Sequence, residues 1–230
     1  MKRIIFLMVL IVPFFVKAQV DTLAGKKKIP FNFDFKFTDG IFLNFESVRR
    51  NNPIPKSRII TNINYNDYAF FEKLFENETF QVLDDMGQRI DIGSENIWGF
   101  CQNGTLFIKW NEEFNRIPVY GALCHFIADK TTVDYRNNPY YNNYYNYYNN
   151  PYYYNNPYGQ TYQTEMRQYI LDMETGKVMD FETKNVEMLL ARDPELYAQF
   201  MALKNKKKEQ MKFLYMRKYN ERNPFYFIVE

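Results

Sequence analysis

Thr79-Phe80-Gln81-Val82-Leu83-Asp84-Asp85-Met86-Gly87-Gln88-Arg89-Ile90-Asp91-Ile92 is the stretch that decides the fold. Phe80 and Val82 alternate with Thr79 and Gln81, Asp85-Met86-Gly87 supplies a turn, and alternation resumes from Arg89 to Ile92. A period of two puts successive side chains on opposite faces of a strand. The pattern continues outward. Ile97 to Cys101 reaches a second turn at Asn103-Gly104, and Leu106, Ile108 and Trp110 share one face of the next strand. Gly121 to Asp129 places Ala122, Cys124 and Phe126 on one side and Leu123, His125 and Ile127 on the other. Short strands punctuated by turns every roughly eight to twelve residues indicate an antiparallel meander that closes as a barrel or stacks as a sandwich.

Before the meander, Phe31, Phe33, Phe35 and Phe37 alternate with polar residues, which predicts a half-buried strand and a hairpin through Asp39-Gly40. Phe45 to Arg50 adds a helical turn ended by Asn51-Asn52-Pro53. After it, Arg167 to Met173 and Lys177 to Phe181 flank the turn Glu174-Thr175-Gly176. Helices follow. Val186, Leu189 and Leu190 fall at i, i+3, i+4. Asp193-Pro194-Glu195 then supplies an N-cap, a proline at the first helical position and an acid in the positive first turn. The stripe Leu196, Phe200, Leu203, Met211, Leu214 predicts one helix to about Asn220, about 40 Å long. The fold class is therefore α+β, with an antiparallel β-rich region completed by a hairpin over 164–182 and a helical segment over 183–230.

Residues 136–163 interrupt the sheet. They hold eleven of the chain's twenty tyrosines, nine asparagines and three prolines, with Asn-Asn-Pro-Tyr beginning at Asn137, Asn149 and Asn155. Prolines without aliphatics do not build a packed element, so the tract reads as a disordered loop prone to self-association. Its rings with polar tips make Tyr144, Tyr145, Tyr147, Tyr148, Tyr152 and Tyr153 candidate binding residues.

At the N-terminus, Lys2 and Arg3, the apolar run Ile4 to Val16, and Val16-Lys17-Ala18 before Gln19 form a secretory signal peptide over 1–18, with a short leader over 19–30. The thirteen-residue run is shorter than the roughly 20 apolar residues that span a bilayer. Cleavage after Ala18 removes Lys2, Arg3 and Lys17 and no acid, so 29 basic residues become 26 against 27 acidic ones and formal charge moves from +2 to −1. The sequence pI of 8.3 thus belongs largely to the discarded peptide and gives no reason to invoke nucleic acid. Export to an oxidising compartment makes a Cys101–Cys124 disulfide chemically permitted; two isolated core thiols are the alternative.

Chemistry is sparse. His125 is the one histidine, on the opposite face from Cys124, and reads as a strand histidine with one hydrogen-bond partner. One His and two separated Cys fall short of a zinc site, and no phosphate loop or other cofactor motif occurs. Acids are plentiful at Asp39, Glu46, Asp84, Asp85, Asp91, Glu112 and Glu113, but their spacing selects no catalytic pair. Trp110 is in register with Leu106 and Ile108 and reads as core. Residues 204–222 carry a local balance of +6, which reads as a solvated helix face and, after the tyrosines, as the second candidate contact surface.

Asp39-Gly40-Ile41-Phe42-Leu43, Ile97-Trp98-Gly99-Phe100 and the closing Tyr219-Asn220-Glu221-Arg222-Asn223-Pro224 resemble a group of exported Gram-negative bacterial proteins of unknown function. That resemblance implies an envelope address, where Asp21-Thr22-Leu23 matches an O-glycosylation signal. The expectation is a periplasmic or cell-surface protein that binds or scaffolds envelope polysaccharide or protein, with no cofactor and no membrane span in the mature chain. The alternative is a carbohydrate-active hydrolase with an unrecognised carboxylate pair.

Overall fold

The structure, a computed structural model, describes residues 27–134 and 161–229. The signal peptide, most of the leader and the six candidate tyrosines lie outside the described residues. In chain order the elements are β1 (Lys27–Pro30), β2 (Gly40–Phe42), α1 (Phe45–Arg49), β3 (Ile59–Ile60), α2 (Phe70–Phe75), β4 (Thr79–Leu83) and β5 (Arg89–Gly93). They continue with β6 (Gly99–Gln102), β7 (Thr105–Trp110), β8 (Glu113–Arg116), β9 (Leu123–Asp134), β10 (Thr161–Asp172) and β11 (Val178–Asp180). Three helices, α3 (Thr183–Leu190), α4 (Pro194–Met201) and α5 (Asn205–Arg222), precede β12 (Tyr226–Val229). The chain is α+β and its strand pairs are antiparallel.

Among the described residues the strands form four sheets, ordered β1-β12, β11-β10-β9, β2-β6-β7-β8 and β3-β4-β5, and none closes into a barrel. They stack in layers instead. The inner face of the four-stranded sheet (Phe42, Cys101, Leu106, Ile108) shares one core with Cys124, Phe126, Tyr169 and Leu171 of the β9–β10 ribbon. The ribbon's other face, through Leu123 and Ile170, packs on Val186, Leu190, Phe200 and Met216 of the helices. On the outer side of the four-stranded sheet, Ile41 and Phe100 meet α2 and the β3–β5 sheet through Phe70, Phe71, Phe80 and Val82.

Turn chemistry sets the register. Asn103 and Gly104 have φ of 53° and 71°, the left-handed pair that a two-residue hairpin between right-twisted strands requires. Asp39 clamps that turn: its carboxylate accepts from the Asn103 and Gly104 amides, both at 2.9 Å. Asp39-Gly40 is therefore not a hairpin turn, and 31–37 is not a strand. Asn32 draws the chain into a turn by accepting from the Asp34 amide, which leaves Phe33 79% exposed while Phe31, Phe35 and Phe37 are buried. Those rings surround Phe227 at centroid distances of 4.3–5.5 Å, beneath the β1–β12 pair. The end of the expected leader, 27–30, is thus a sheet strand.

Two other boundaries move. Thr161, Tyr162 and Gln163 pair with Asp134, Val133 and Thr132, so the ribbon runs further into the 136–163 tract than the tract's composition indicates. The expected single C-terminal helix is two. Asp193 caps α4 through the Leu196 amide with Pro194 in its first turn, but the chain is extended at Lys204 before α5 begins. The break lets α4 and α5 pack as separate pieces on one core, with Lys208 buried against Glu187 at 2.7 Å.

The β7–β8 turn uses Asn111 and Glu112 at φ of 53° and 67°. A glutamate there carries a left-handed cost of about 1 kcal/mol. Glu112→Gly relieves it, less the extra entropy glycine gives the unfolded chain. Urea denaturation should show the variant about 0.5 kcal/mol more stable; a less stable variant would mean that the turn is unstrained.

Candidate functional site

Cross-strand register puts Phe100, Gln102, Thr105, Phe107, Phe114 and Arg116 on the outer face of the β6–β7–β8 sheet. The short helix α2 covers only a fraction of it. Phe71 and Phe75 lie over Phe100 at 4.7 and 5.7 Å, and Phe75 stacks on Phe114 at 4.8 Å, so Phe100 is buried while Phe107 and Phe114 remain half-buried. The uncovered strip is the floor of an open groove of about 590 Å³. Its walls include Tyr68, Glu72, Asn103 and Glu113. Gln102 ties one wall down: its Nε2 donates to the Tyr68 carbonyl at 2.6 Å, and the Tyr68 side chain stands 87% exposed.

Some acids elsewhere on the surface are engaged by neighbours, while others, such as Asp34, Glu76, Glu78 and Glu112, make no side-chain hydrogen bond or ion pair with another described residue. Glu46 pairs with Arg50, Asp85 with Arg58 and Asp67 with Lys73, while Asp84 accepts from the Met86 and Gln88 amides of its own turn. Glu72, Thr105, Glu113 and Arg116 make no side-chain hydrogen bond or ion pair with another described residue. Two acceptor-only carboxylates and one donor-only guanidinium, all solvent-exposed, and a hydroxyl thus surround an aromatic floor. Among the described residues, no group of three or more His, Cys, Asp or Glu is placed to hold a metal ion.

Sequence reasoning named Glu113 among the acids but did not single out this groove. The helical spacing of Phe70, Phe71, Leu74 and Phe75 was the available signal for α2. Cys101 and Cys124 are free, buried thiols in the structure. Cys101 donates to the Phe37 carbonyl and to Asp39, and Cys124 to the Gly121 carbonyl. Burial, then the neighbouring Asp39 carboxylate, pushes the Cys101 thiol far up, and burial pushes Cys124 up to about 12. Neither is a thiolate nucleophile at neutral pH.

Trp110 packs on Tyr169 with its indole nitrogen buried and unpartnered, and Trp98 lies beside Phe45; both pack against the core. Three of the eight cations in the basic C-terminal run are held in ion pairs, while Lys204, Lys206, Lys207 and Arg217 are exposed. Lys208 pairs with Glu187, Lys212 with Glu209 and the Phe181 carbonyl, and Arg222 with Asp193 and Glu195. Among the described residues, no helix is long and apolar enough to cross a membrane. No known protein family, curated protein or solved structure matches the chain.

His125 hydrogen-bonds through Nε2 to Gln168 Oε1 at 2.9 Å and sits edge-on between Phe181 and Phe213. Burial lowers its pKa below 6.5, Lys212 adds to that, and the Gln168 bond opposes it. A histidine held neutral by the fold contributes stability above its unfolded pKa, and that contribution is lost as pH falls through the folded value. His125→Gln should cost about 1 kcal/mol at pH 7.5 through lost ring contacts. It should also flatten the fall of melting temperature below pH 6.5. An unchanged pH profile would show that His125 does not titrate with folding.

Proposed function

We propose that this chain is an exported bacterial envelope protein, periplasmic or at the cell surface, that works by binding or scaffolding, with the groove beside α2 as its contact surface. The address rests on the reading of Met1 to Ala18 as a signal peptide and on the resemblance to exported envelope proteins. The contact surface rests on one observation: polar side chains of both charge signs stand unpartnered around a half-buried aromatic floor. The tyrosine and asparagine tract is a second contact and a route to self-association. The partner is envelope polysaccharide or protein.

A second reading has a specific observation behind it. Glu72 and Glu113 line the same groove, and two carboxylates flanking a sugar linkage are the machinery of a glycosidase. The two readings separate in one experiment. Protein recovered from fractionated native cells should begin at Gln19. Mature protein should co-sediment with purified envelopes, with the double variant Phe107→Leu, Arg116→Ala bound at least tenfold more weakly. Deleting 137–158 should weaken it less, because loop length itself costs the fold little. An intact Met1 in the cytosolic fraction would refute the address, and binding lost only with the tract would refute the groove. Release of reducing ends that stops in Glu72→Gln or Glu113→Gln would establish the hydrolase.

A further inference from the structure

We infer that the groove beside α2 takes a short neutral saccharide whose ring substituents are equatorial, with Phe107 as the stacking platform; this rests on the groove being the contact surface. Phe107 is held parallel to its cross-strand neighbour Phe100, with centroids 4.7 Å apart and planes 6° apart. That pairing fixes the ring's plane, and the half-buried ring lines the groove. An aromatic face carries negative quadrupole density and attracts polarised C–H groups. A pyranose with equatorial hydroxyls points its axial C–H bonds at such a face.

The rim selects among flat ligands. Each sugar hydroxyl donates and accepts, and the rim supplies both functions: Glu72 and Glu113 only accept, Arg116 only donates, and Thr105 does either. An anion would meet Arg116 but be repelled by two carboxylates. A cation would meet the carboxylates but be repelled by Arg116, which makes no ion pair with them. A purely apolar ligand would strip water from all three charges with no return. A neutral polyhydroxylated ring with one apolar face satisfies floor and rim together. Gln102, its amide nitrogen committed to the Tyr68 carbonyl, positions that wall and is not itself the reader.

The test is an amide-resolved NMR titration of the mature chain with cellotriose and chitotriose, whose rings are equatorially substituted, and with α-linked maltotriose as a curved control. Affinity in the millimolar range or tighter should appear for at least one of the first two. Its shifts should centre on 102–107 and 114–116. Phe107→Leu, which keeps apolar volume but removes the flat ring, should weaken binding at least tenfold, and Thr105→Val about threefold. Thr105→Val should keep the parent melting curve, and Phe107→Leu should lower the melting temperature by only a few degrees, through the lost stack on Phe100, and stay folded under the titration conditions. Shifts centred elsewhere, or equal binding by Phe107→Leu, would overturn the inference. If neither sugar shifts these amides at about 10 mM while envelope binding still depends on Phe107 and Arg116, the saccharide class is wrong and the contact surface stands. If envelope binding ignores both residues, both conclusions fall.

Discussion

Burial of the base of the β9–β10 ribbon on both faces is the constraint from which the rest of the structure follows. Antiparallel ribbons commonly leave one face to water. Here Cys124, Phe126, Tyr169 and Leu171 fill the core beneath the four-stranded sheet, while Leu123 and Ile170 fill the core beneath the helices. Phe126 and Ile170 are fully buried on opposite faces. Each such side chain contributes about 2 kcal/mol by leaving water, and the alternation along one strand distributes that gain to both halves of the chain. Asp172, at the end of β10, locks the same base to the helices. Burial pushes its carboxyl up, but the Arg192 guanidinium and the Thr175 hydroxyl outweigh that and hold it below the usual carboxylate range.

The groove is a consequence of this layering. The four-stranded sheet spends its inner face on the ribbon, so its outer face must be covered by what the first half of the chain supplies. That supply is the β3–β5 sheet and the six-residue α2, whose Phe71 and Phe75 reach Phe100 and Phe114 but leave Phe107 half-buried. Asp39 fixes the neighbouring Asn103-Gly104 turn through two backbone amides, so the groove's floor and one end are held by the same hairpin. A site built on strands and pinned at its turn is preorganised, which lowers the entropy lost on binding.

Much of this fold was legible because local chemistry and tertiary structure agree at particular residues. Asp85-Met86-Gly87, Asn103-Gly104 and the Asp193 cap with Pro194 all do what their side chains favour. The sequence misleads where a tertiary partner decides. Phe31 to Phe37 has the period of a strand, yet Asn32 bends it and Phe227 claims its rings. Glu112 hides a hairpin because glutamate does not advertise a left-handed turn. The break at Lys204 carries neither glycine nor proline; packing of α4 and α5 on a shared core makes it. The groove was the least legible, since it is defined by what a short helix fails to cover.

The central claim is that the two-sided ribbon joins the β-rich region and the helical segment into a single cooperative unit. Urea unfolding followed by two probes tests it directly. Trp98 and Trp110, the chain's two tryptophans, report the β-rich core through fluorescence, whereas α3, α4 and α5 dominate the helical circular dichroism. A ribbon shared by both cores requires the two curves to coincide with one midpoint and one slope. Helical signal lost at a lower urea concentration, with tryptophan fluorescence still native, would contradict the account.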